Sequence, residues 1–329
     1  FARSASSRVS ARVSAQRLKV GIVLPTYRRL ATADNIRRAA QLSESLGFDS
    51  VWVTDHIVVP SASVEAFGPA FYEAVTVMSY VAAITSRVQI GAAILIVPYR
   101  HPLVLAKMLA TADQLSGGRM ILGAGLGWLD SESSLMGVPH KRRARIADEA
   151  LGAIRACWEA DQPQFHGEVY DFTGFHFAPR PHANRRLPIY IGGASTAALR
   201  RAARFGDGWI GDGQTFEELQ VALGQLAHEL AAQGRELGEM EVAMRTGLQV
   251  AADRTGITES PTEQGWKSAE FVTAGRTPFR GVREEVVADF KRAAELGVAH
   301  LIFEFPVSRG EESMALFETL AGIREEAGV

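Results

Sequence analysis

The chain has 329 residues, 47% hydrophobic and 22% charged, the make-up of a globular protein with a sizeable core and not of a disordered or fibrous one. Lys plus Arg (35) nearly balances Asp plus Glu (37), so the basic excess that phosphate-backbone binding leaves in composition is missing and nucleic acid is not an expected partner. The single cysteine, Cys157, excludes an internal disulfide and a multi-cysteine metal site. No apolar run approaches the roughly 20 residues that span a bilayer, so no membrane association and a cytoplasmic location are expected.

Residues 1–17 are rich in Ser, Arg and Ala and carry no acid, the composition of a disordered tail or transit-like segment, or of an extension foreign to the fold. A single domain is expected over 18–329. From Leu18 onward β-branched runs alternate with amphipathic runs of helical period, the signal for βα units around a parallel sheet. The predicted strands cover 18–25, 49–55, 88–97, 120–126, 188–193, 208–211, 242–252 and 300–305. Between them lie helices with apolar residues every three or four positions, such as Phe216, Leu219, Leu223, Leu226 and Leu230, or Val282, Val286, Phe290 and Ala294. Cys157 falls on such a stripe with Ala150, Leu151, Ile154 and Trp158 and reads as core filler. Gly47, Gly117, Gly118, Gly206 and Gly297 precede strands, where left-handed helix caps are expected. A last helix covers about 311–326. Eight such units predict an α/β fold of the (β/α)8 TIM-barrel type with insertions in its loops.

The turn after the first strand, PTYRRLATADN, has no glycine-rich phosphate loop, so a dinucleotide cannot be cradled there in the Rossmann manner. Inserts at 57–72, 129–143 and 253–280 interrupt the pattern and two of them are expected to wall a pocket, whereas the hairpin-like 163–187 follows a helix and is expected at the opposite, stability face.

The second strand ends in Thr54, Asp55 and His56, which puts an acid and an imidazole at the catalytic rim of a barrel. A loop-capping Asp55 and a satisfied rim histidine are the bland alternatives, and position favours catalysis, with His56 donating to or exchanging a proton with a bound group. In the third strand, small residues around Ala93 and Ile94 leave room for a flat ring or merely for packing. Tyr99 and Arg100 follow, suited to an anionic ligand or to a plain surface. Gly123, Gly125 and Gly127 strip one strand edge of side chains where a ligand could lie, with Trp128 next as a pocket residue. Strand five runs into Gly192, Gly193, Ala194, Ser195 and Thr196 ahead of a helix, a phosphate site by its free N–H groups and dipole, or equally an ordinary N-cap.

Together VLPT, GFDSVWVTDH, GAAILIVPYRHP, AKMLATADQLSGGRMILGAGLGW, PIYIGG and LRRAARFGDGW, in that order over about 18–211, resemble the luciferase-like flavin monooxygenase superfamily, most of all its coenzyme F420-dependent oxidoreductase branch. The resemblance implies a dimeric barrel holding F420, or alternatively FMN, at the strand C-termini. It matches His56 to the active-site histidine, Ala93–Ile94 to a non-proline cis peptide behind the cofactor ring, and Gly192, Gly193 and Ala194 to a phosphate-binding turn. Members that oxidise sugar phosphates carry a tryptophan and a glutamate where this chain has Pro60 and Trp128, so that substrate is not expected. The leading function is hydride transfer between F420 and a small organic substrate. The alternative is an FMN-dependent two-component monooxygenase fed by a partner reductase. A catalytically silent barrel and a metal-dependent hydrolase are the remaining classes, the last disfavoured because of eight histidines only His56 and His101 are placed near the rim.

Overall fold

A computed structural model describes residues 17–257, 276–305 and 312–328, so residues 1–16 and most of the 253–280 insert lie outside the described residues. Strands β1 (Lys19–Val23), β2 (Ser50–Val53), β3 (Gln89–Ala92), β4 (Leu95–Ile96) and β5 (Met120–Gly125) come first. A short antiparallel pair, β6 (Phe165–His166) and β7 (Asp171–Phe172), follows, then β8 (Ile189–Gly192), β9 (Gly208–Asp212) and β10 (Glu241–Gly247). A parallel pair, β11 (Gln249–Ala251) and β12 (Arg280–Val282), precedes β13 (His300–Glu304). The large sheet runs β3-β2-β1-β13-β10-β9-β8-β5-β4, and a further β3–β5 pairing closes it into a parallel ring.

All eight predicted strands are present, and two of them are broken. The third splits into β3 and β4, while the run 242–252 leaves the barrel after Gly247 and its tail pairs with β12 instead.

Ten helices among the described residues, α1 (Ala33–Ser45), α2 (Val64–Phe67), α3 (Ala74–Ile84), α4 (Pro102–Ser116), α5 (Asp130–Leu135), α6 (Arg143–Glu159), α7 (Thr196–Phe205), α8 (Phe216–Ala231), α9 (Arg283–Glu295) and α10 (Glu312–Ala327), sit between strands or end the chain. Helix α8 buries Leu219, Leu223, Leu226 and Leu230 as its period requires, and begins in a Thr215–Glu218 capping box. Cys157 is buried on α6, where loss of solvent pushes its thiol up to about 11. Gly47, Gly117, Gly118 and Gly297 have positive φ as expected. Gly206 does not: its φ is −85°, and it is small because an added Cβ would lie 2.8 Å from the Ala202 carbonyl oxygen.

The 163–187 segment is not confined to the stability face. Val169 and Tyr170 donate backbone N–H groups to the Glu149 carboxylate on α6 (2.7 and 3.2 Å), and the Tyr170 ring reaches His101 at the start of α4 (5.5 Å). The chain then returns along α4, where Gln114 donates to the Arg180 carbonyl (2.8 Å) and Asp113 accepts from His182 N (2.9 Å). It is a strap along the outer flank of two helices.

Alternation along each strand sends one set of side chains to the helices and the other into the barrel. Trp52 and Tyr190 fill the interior with Val23, Ile121, Ile210, Ala243 and Ile302. Gly91 and Gly21 make room for the indole, since an added Cβ would lie 2.3 and 2.5 Å from it. Below these rings, buried His300 meets the Ser50 hydroxyl at Nε2 (2.7 Å), Trp52 Nε1 donates to the same hydroxyl (2.7 Å), and Glu241 lies 3.2 Å from His300 Nδ1 and 2.9 Å from Lys19 Nζ. The floor is plugged, so any ligand must enter from the strand C-termini.

Burial alone would raise the Glu241 pKa, yet hydrogen bonds from His300 and Lys19 outweigh it and hold the carboxyl down at about 2. Burial pulls the His300 pKa down and the neighbouring Glu241 opposes it, while the charges of His300 and Lys19 both add to the hydrogen bonds that hold Glu241 ionised. A carboxyl depressed from 4.5 to about 2 contributes stability that is present above pH 4.5 and lost as pH falls through about 2. Melting temperatures of wild type and Glu241→Gln are therefore expected to differ most above pH 4.5 and to converge as pH drops toward 2; a gap independent of pH would remove the charged pair from the account.

Candidate active site

The end of β2 delivers Asp55 and His56 to the barrel mouth, where they do different work. Asp55 is 4% exposed, and its oxygens accept from Ile96 N (2.8 Å) and from both terminal nitrogens of Arg100 (2.7 and 2.8 Å). Arg100 also donates to Glu73 (2.7 Å). Burial opposes the guanidinium charge, but Asp55 and Glu73 outweigh it and hold its pKa above the usual arginine value. The expected catalytic acid at Asp55 and pocket cation at Arg100 thus give way to a buried pair that ties β2 to β4. Tyr99 also departs from the pocket role: it is 9% exposed, packs with Ile96 and Val138, and its hydroxyl lies 3.1 Å from Ser133 Oγ.

His56 faces a partner that the sequence reading missed. Its Nδ1 lies 2.6 Å from Oε2 of Glu132, a fully buried carboxylate on α5 whose Oε1 accepts from the N–H groups of Ile57 (2.8 Å) and Val58 (3.2 Å). The carboxylate fixes the tautomer: Nδ1 carries the proton toward Glu132, leaving Nε2 to accept or, when protonated, to donate. Around the imidazole stand Phe71 (5.0 Å between centroids), Phe67 (5.6 Å) and Trp128 (6.4 Å, 86°), and Tyr27 stacks on Phe71 at 4.8 Å. Trp128 is 37% exposed.

The Ala93–Ile94 peptide is cis, as the resemblance implied, and it separates β3 from β4. Ile94 turns its half-buried side chain across the mouth. A Cβ on Gly125 would sit 2.4 Å from Ile94 Cδ1, and one on Gly192 would sit 2.6 Å from Ile94 Cγ2. These glycines therefore clear space for Ile94, which for Gly125 replaces the expected bare strand edge with a packed side chain. A flat ring would rest on Ala93 and Ile94. Gly125→Ala is expected to displace Ile94 and weaken cofactor binding by about tenfold or more while costing about 1–3 kcal/mol of stability in urea unfolding; unchanged cofactor affinity would show that Ile94 is no platform.

Beyond β8 the turn Gly192–Gly193–Ala194 is half-buried, and Gly193 has φ +114°. Two of its polar groups are already used: Gly193 N–H donates to the Ile210 carbonyl (3.2 Å), and the Gly193 carbonyl accepts from Trp209 Nε1 (2.7 Å). Ser195 Oγ caps α7 by accepting from Ala198 N at 3.3 Å, so the N-cap reading holds. The first-turn N–H groups of Thr196 and Ala197 have no partner inside the helix by its geometry, and Ser195 and Thr196 are exposed, leaving room for an anion.

One further group bears on whether a phosphorylated cofactor fits. Gln214, 3% exposed, has neither amide atom hydrogen-bonded among the described residues. It lies over Gly211 against Trp209, the ring that holds the Gly193 carbonyl. A buried amide with both ends unsatisfied costs free energy until something polar meets it, so the residues beside this turn suit a polar ligand.

On the neighbouring interior strands, Arg245 is held by Asp212 (2.9 Å) and by Glu304, which also accepts from the Tyr27 hydroxyl. Burial, followed by the nearby Glu304 charge, raises the Tyr27 hydroxyl far above its usual pKa and keeps it protonated. Among the described residues no group of three or more His, Cys, Asp or Glu side chains is placed to hold a metal ion, and no helix is long and apolar enough to cross a membrane.

The mouth of the closed parallel barrel thus gathers a histidine held by a carboxylate, a cis bulge and a helix N-terminus. The chain belongs to the luciferase-like monooxygenase family, whose sequence model matches residues 4–321. An uncharacterised Mycobacterium tuberculosis protein is 32% identical over 315 residues, 92% of this chain and 96% of that protein. An F420-dependent glucose-6-phosphate dehydrogenase of Kineococcus radiotolerans is 28% identical over 80% of the chain and 85% of its own length. An FMNH(2)-dependent dimethylsulfone monooxygenase of Pseudomonas putida is 30% identical over 61% of the chain. The chain spans 54% of that enzyme's length and 66% of that of a second uncharacterised mycobacterial protein. Among solved structures, the coenzyme F420-dependent tetrahydromethanopterin reductase of Methanopyrus kandleri superposes with a TM-score of 0.74 at 20% identity, covering 93% of this chain and 97% of that one.

Proposed function

We propose that the chain is an F420-dependent oxidoreductase acting on a small organic substrate. The carrying observation is the buried Glu132–His56 pair beside the Ile94 bulge, an acid–base group fixed next to a ring-sized platform. The F420 relative supports the choice of cofactor, because its alignment covers more of the chain than that of the FMN-dependent one. F420, when bound, supplies two-electron hydride transfer and leaves position and electrostatics to the protein. Ala93 and Ile94 would hold the ring, while Thr196, Ala197 and the Ser195 hydroxyl would hold its phosphate. His56 Nε2 takes or gives the proton at the substrate oxygen, Glu132 keeps the imidazole in the required tautomer, and Phe67, Phe71 and Trp128 keep water from it. Asp55 and Arg100 fix the loop that carries His56.

The similarity to the dimethylsulfone monooxygenase favours one second reading, an FMN-dependent monooxygenase supplied by a partner reductase. A homodimer and a cytoplasmic location belong to either version. Equilibrium titration of the purified chain with F420 and with FMN decides between them. Micromolar binding of F420 with little for FMN is expected; the reverse would replace the leading reading with the second.

A further inference from the structure

Gln214 is a buried polar side chain for which the proposed proton chemistry has no use. It is 3% exposed, and among the described residues neither of its amide atoms is hydrogen-bonded. Folding strips water from the amide and returns nothing, a cost that an apolar side chain of the same length would not carry. The backbone on either side is tied down: Gly213 N–H donates to the Arg245 carbonyl (3.0 Å), and Thr215 N–H donates to Glu218 (2.8 Å). What is left to move is the side chain.

Strand β8 pairs with β9 through Gly192 opposite Ile210, and Gly193 N–H donates to the Ile210 carbonyl (3.2 Å), so the loops leaving the two strands run side by side. Ile210 faces the barrel interior, and Trp209 and Gly211 therefore face the helix layer. The Gln214 amide oxygen lies on that side against the bare Cα of Gly211, where an added Cβ would stand 2.3 Å from it and 3.0 Å from the Trp209 ring. The same indole donates to the Gly193 carbonyl (2.7 Å). Gly193 in turn adjoins the first turn of α7, since a Cβ on it would lie 3.1 Å from Ala198 Cβ. Gln214 and the first-turn N–H groups of Thr196 and Ala197 thus flank one glycine turn.

We infer that Gln214 binds the phosphate-bearing tail of the cofactor and is held in a resting posture until that tail arrives. With a phosphate at the start of α7, the side chain swings off Gly211 and donates its amide N–H to a phosphate oxygen. This rests on the cofactor site proposed above. The unpaired amide of the ligand-free chain then becomes a source of selectivity, because a charged acceptor satisfies it and a ligand that lacks the phosphate does not.

Gln214→Met in the full chain keeps the length of the side chain and removes the amide, and the sign of two effects separates this role from a structural one. Urea unfolding of the ligand-free variant is expected at a midpoint equal to or above that of wild type. Fluorescence titration with F420 or FMN, whichever wild type binds, should show affinity weakened about tenfold or more. Affinity for the same ring without its phosphate, riboflavin or the deazaflavin that ends at its ribityl chain, should stay within about twofold of wild type. A lower midpoint, or a variant that does not fold, means that the amide is satisfied in the ligand-free chain and overturns the inference. Unchanged affinity for the phosphorylated cofactor overturns it as well, and so does an equal loss for both members of a pair. Where the phosphate-free ligand binds neither chain, the midpoint and the phosphorylated cofactor decide. Cofactor binding that ignores Gln214 condemns this inference alone, whereas a wild-type chain that binds no flavin or deazaflavin condemns the cofactor site itself.

Discussion

His56→Ala should lower kcat on any substrate found by about 10²- to 10⁴-fold while leaving cofactor affinity and melting temperature close to wild type. The magnitude follows from losing the proton-transfer group proposed for the mouth. The spared stability follows from its setting, because the ring is edged by aromatics and its removal leaves Glu132 still accepting from Ile57 and Val58 N–H. Glu132→Gln separates positioning from chemistry. It retains an acceptor for those amides but can present its NH₂ to Nδ1, which reverses the tautomer, so kcat should fall with KM little changed. Rapid-mixing measurements of cofactor reduction read both effects directly. A His56→Ala enzyme with undiminished turnover would remove the histidine from the reaction.

Arg100→Ala should cost about 3–5 kcal/mol in urea unfolding, the largest stability loss expected of any single change at this site. Asp55 would stay buried with only Ile96 N as a partner, and an uncompensated carboxylate is costly away from water. Adding Asp55→Asn to Arg100→Ala should recover part of the loss, since the stranded charge goes with it. A single-variant cost below about 1 kcal/mol would place the pair in the class of solvated surface bridges.

The barrel was legible because its strands are short β-branched runs between helices of clear period, and the ring follows from their count. Breaks within strands were not. The split of the third strand rests on one peptide conformation, Ala93–Ile94, that no local propensity encodes and only the family resemblance supplied. The end of β10 at Gly247 went unseen because the apolar run continues beyond it; the tail leaves the barrel to pair with Arg280–Val282, a partner distant in sequence.

At the site, strand-end position marked Asp55 and His56 but could not show the pairing of Asp55 with Arg100, since that partner lies 45 residues away and the contact is tertiary. Glu132 sits 76 residues from His56 in a loop insert and carried no local signal. Arg245 did carry one: a charge at an inward-facing position within the otherwise uncharged VAMRTG is an anomaly for a core strand and marks the mouth. Gln214, between the glycine turn and the Thr215–Glu218 cap, could not be told from an ordinary loop residue until its burial was known. Gly125 was read as part of a bare strand edge because sequence shows which side chain is missing and not which neighbour, here Ile94, fills the gap.

The most direct measurement is a crystal structure of the chain grown with F420, or with FMN if that is the cofactor it binds. The account predicts the ring within about 4 Å of Ala93 and Ile94, its phosphate against the N-terminus of the Thr196–Phe205 helix, and His56 Nε2 facing the open side of the ring. A ring bound elsewhere, or one lying where His56 cannot reach the reacting face, would contradict it.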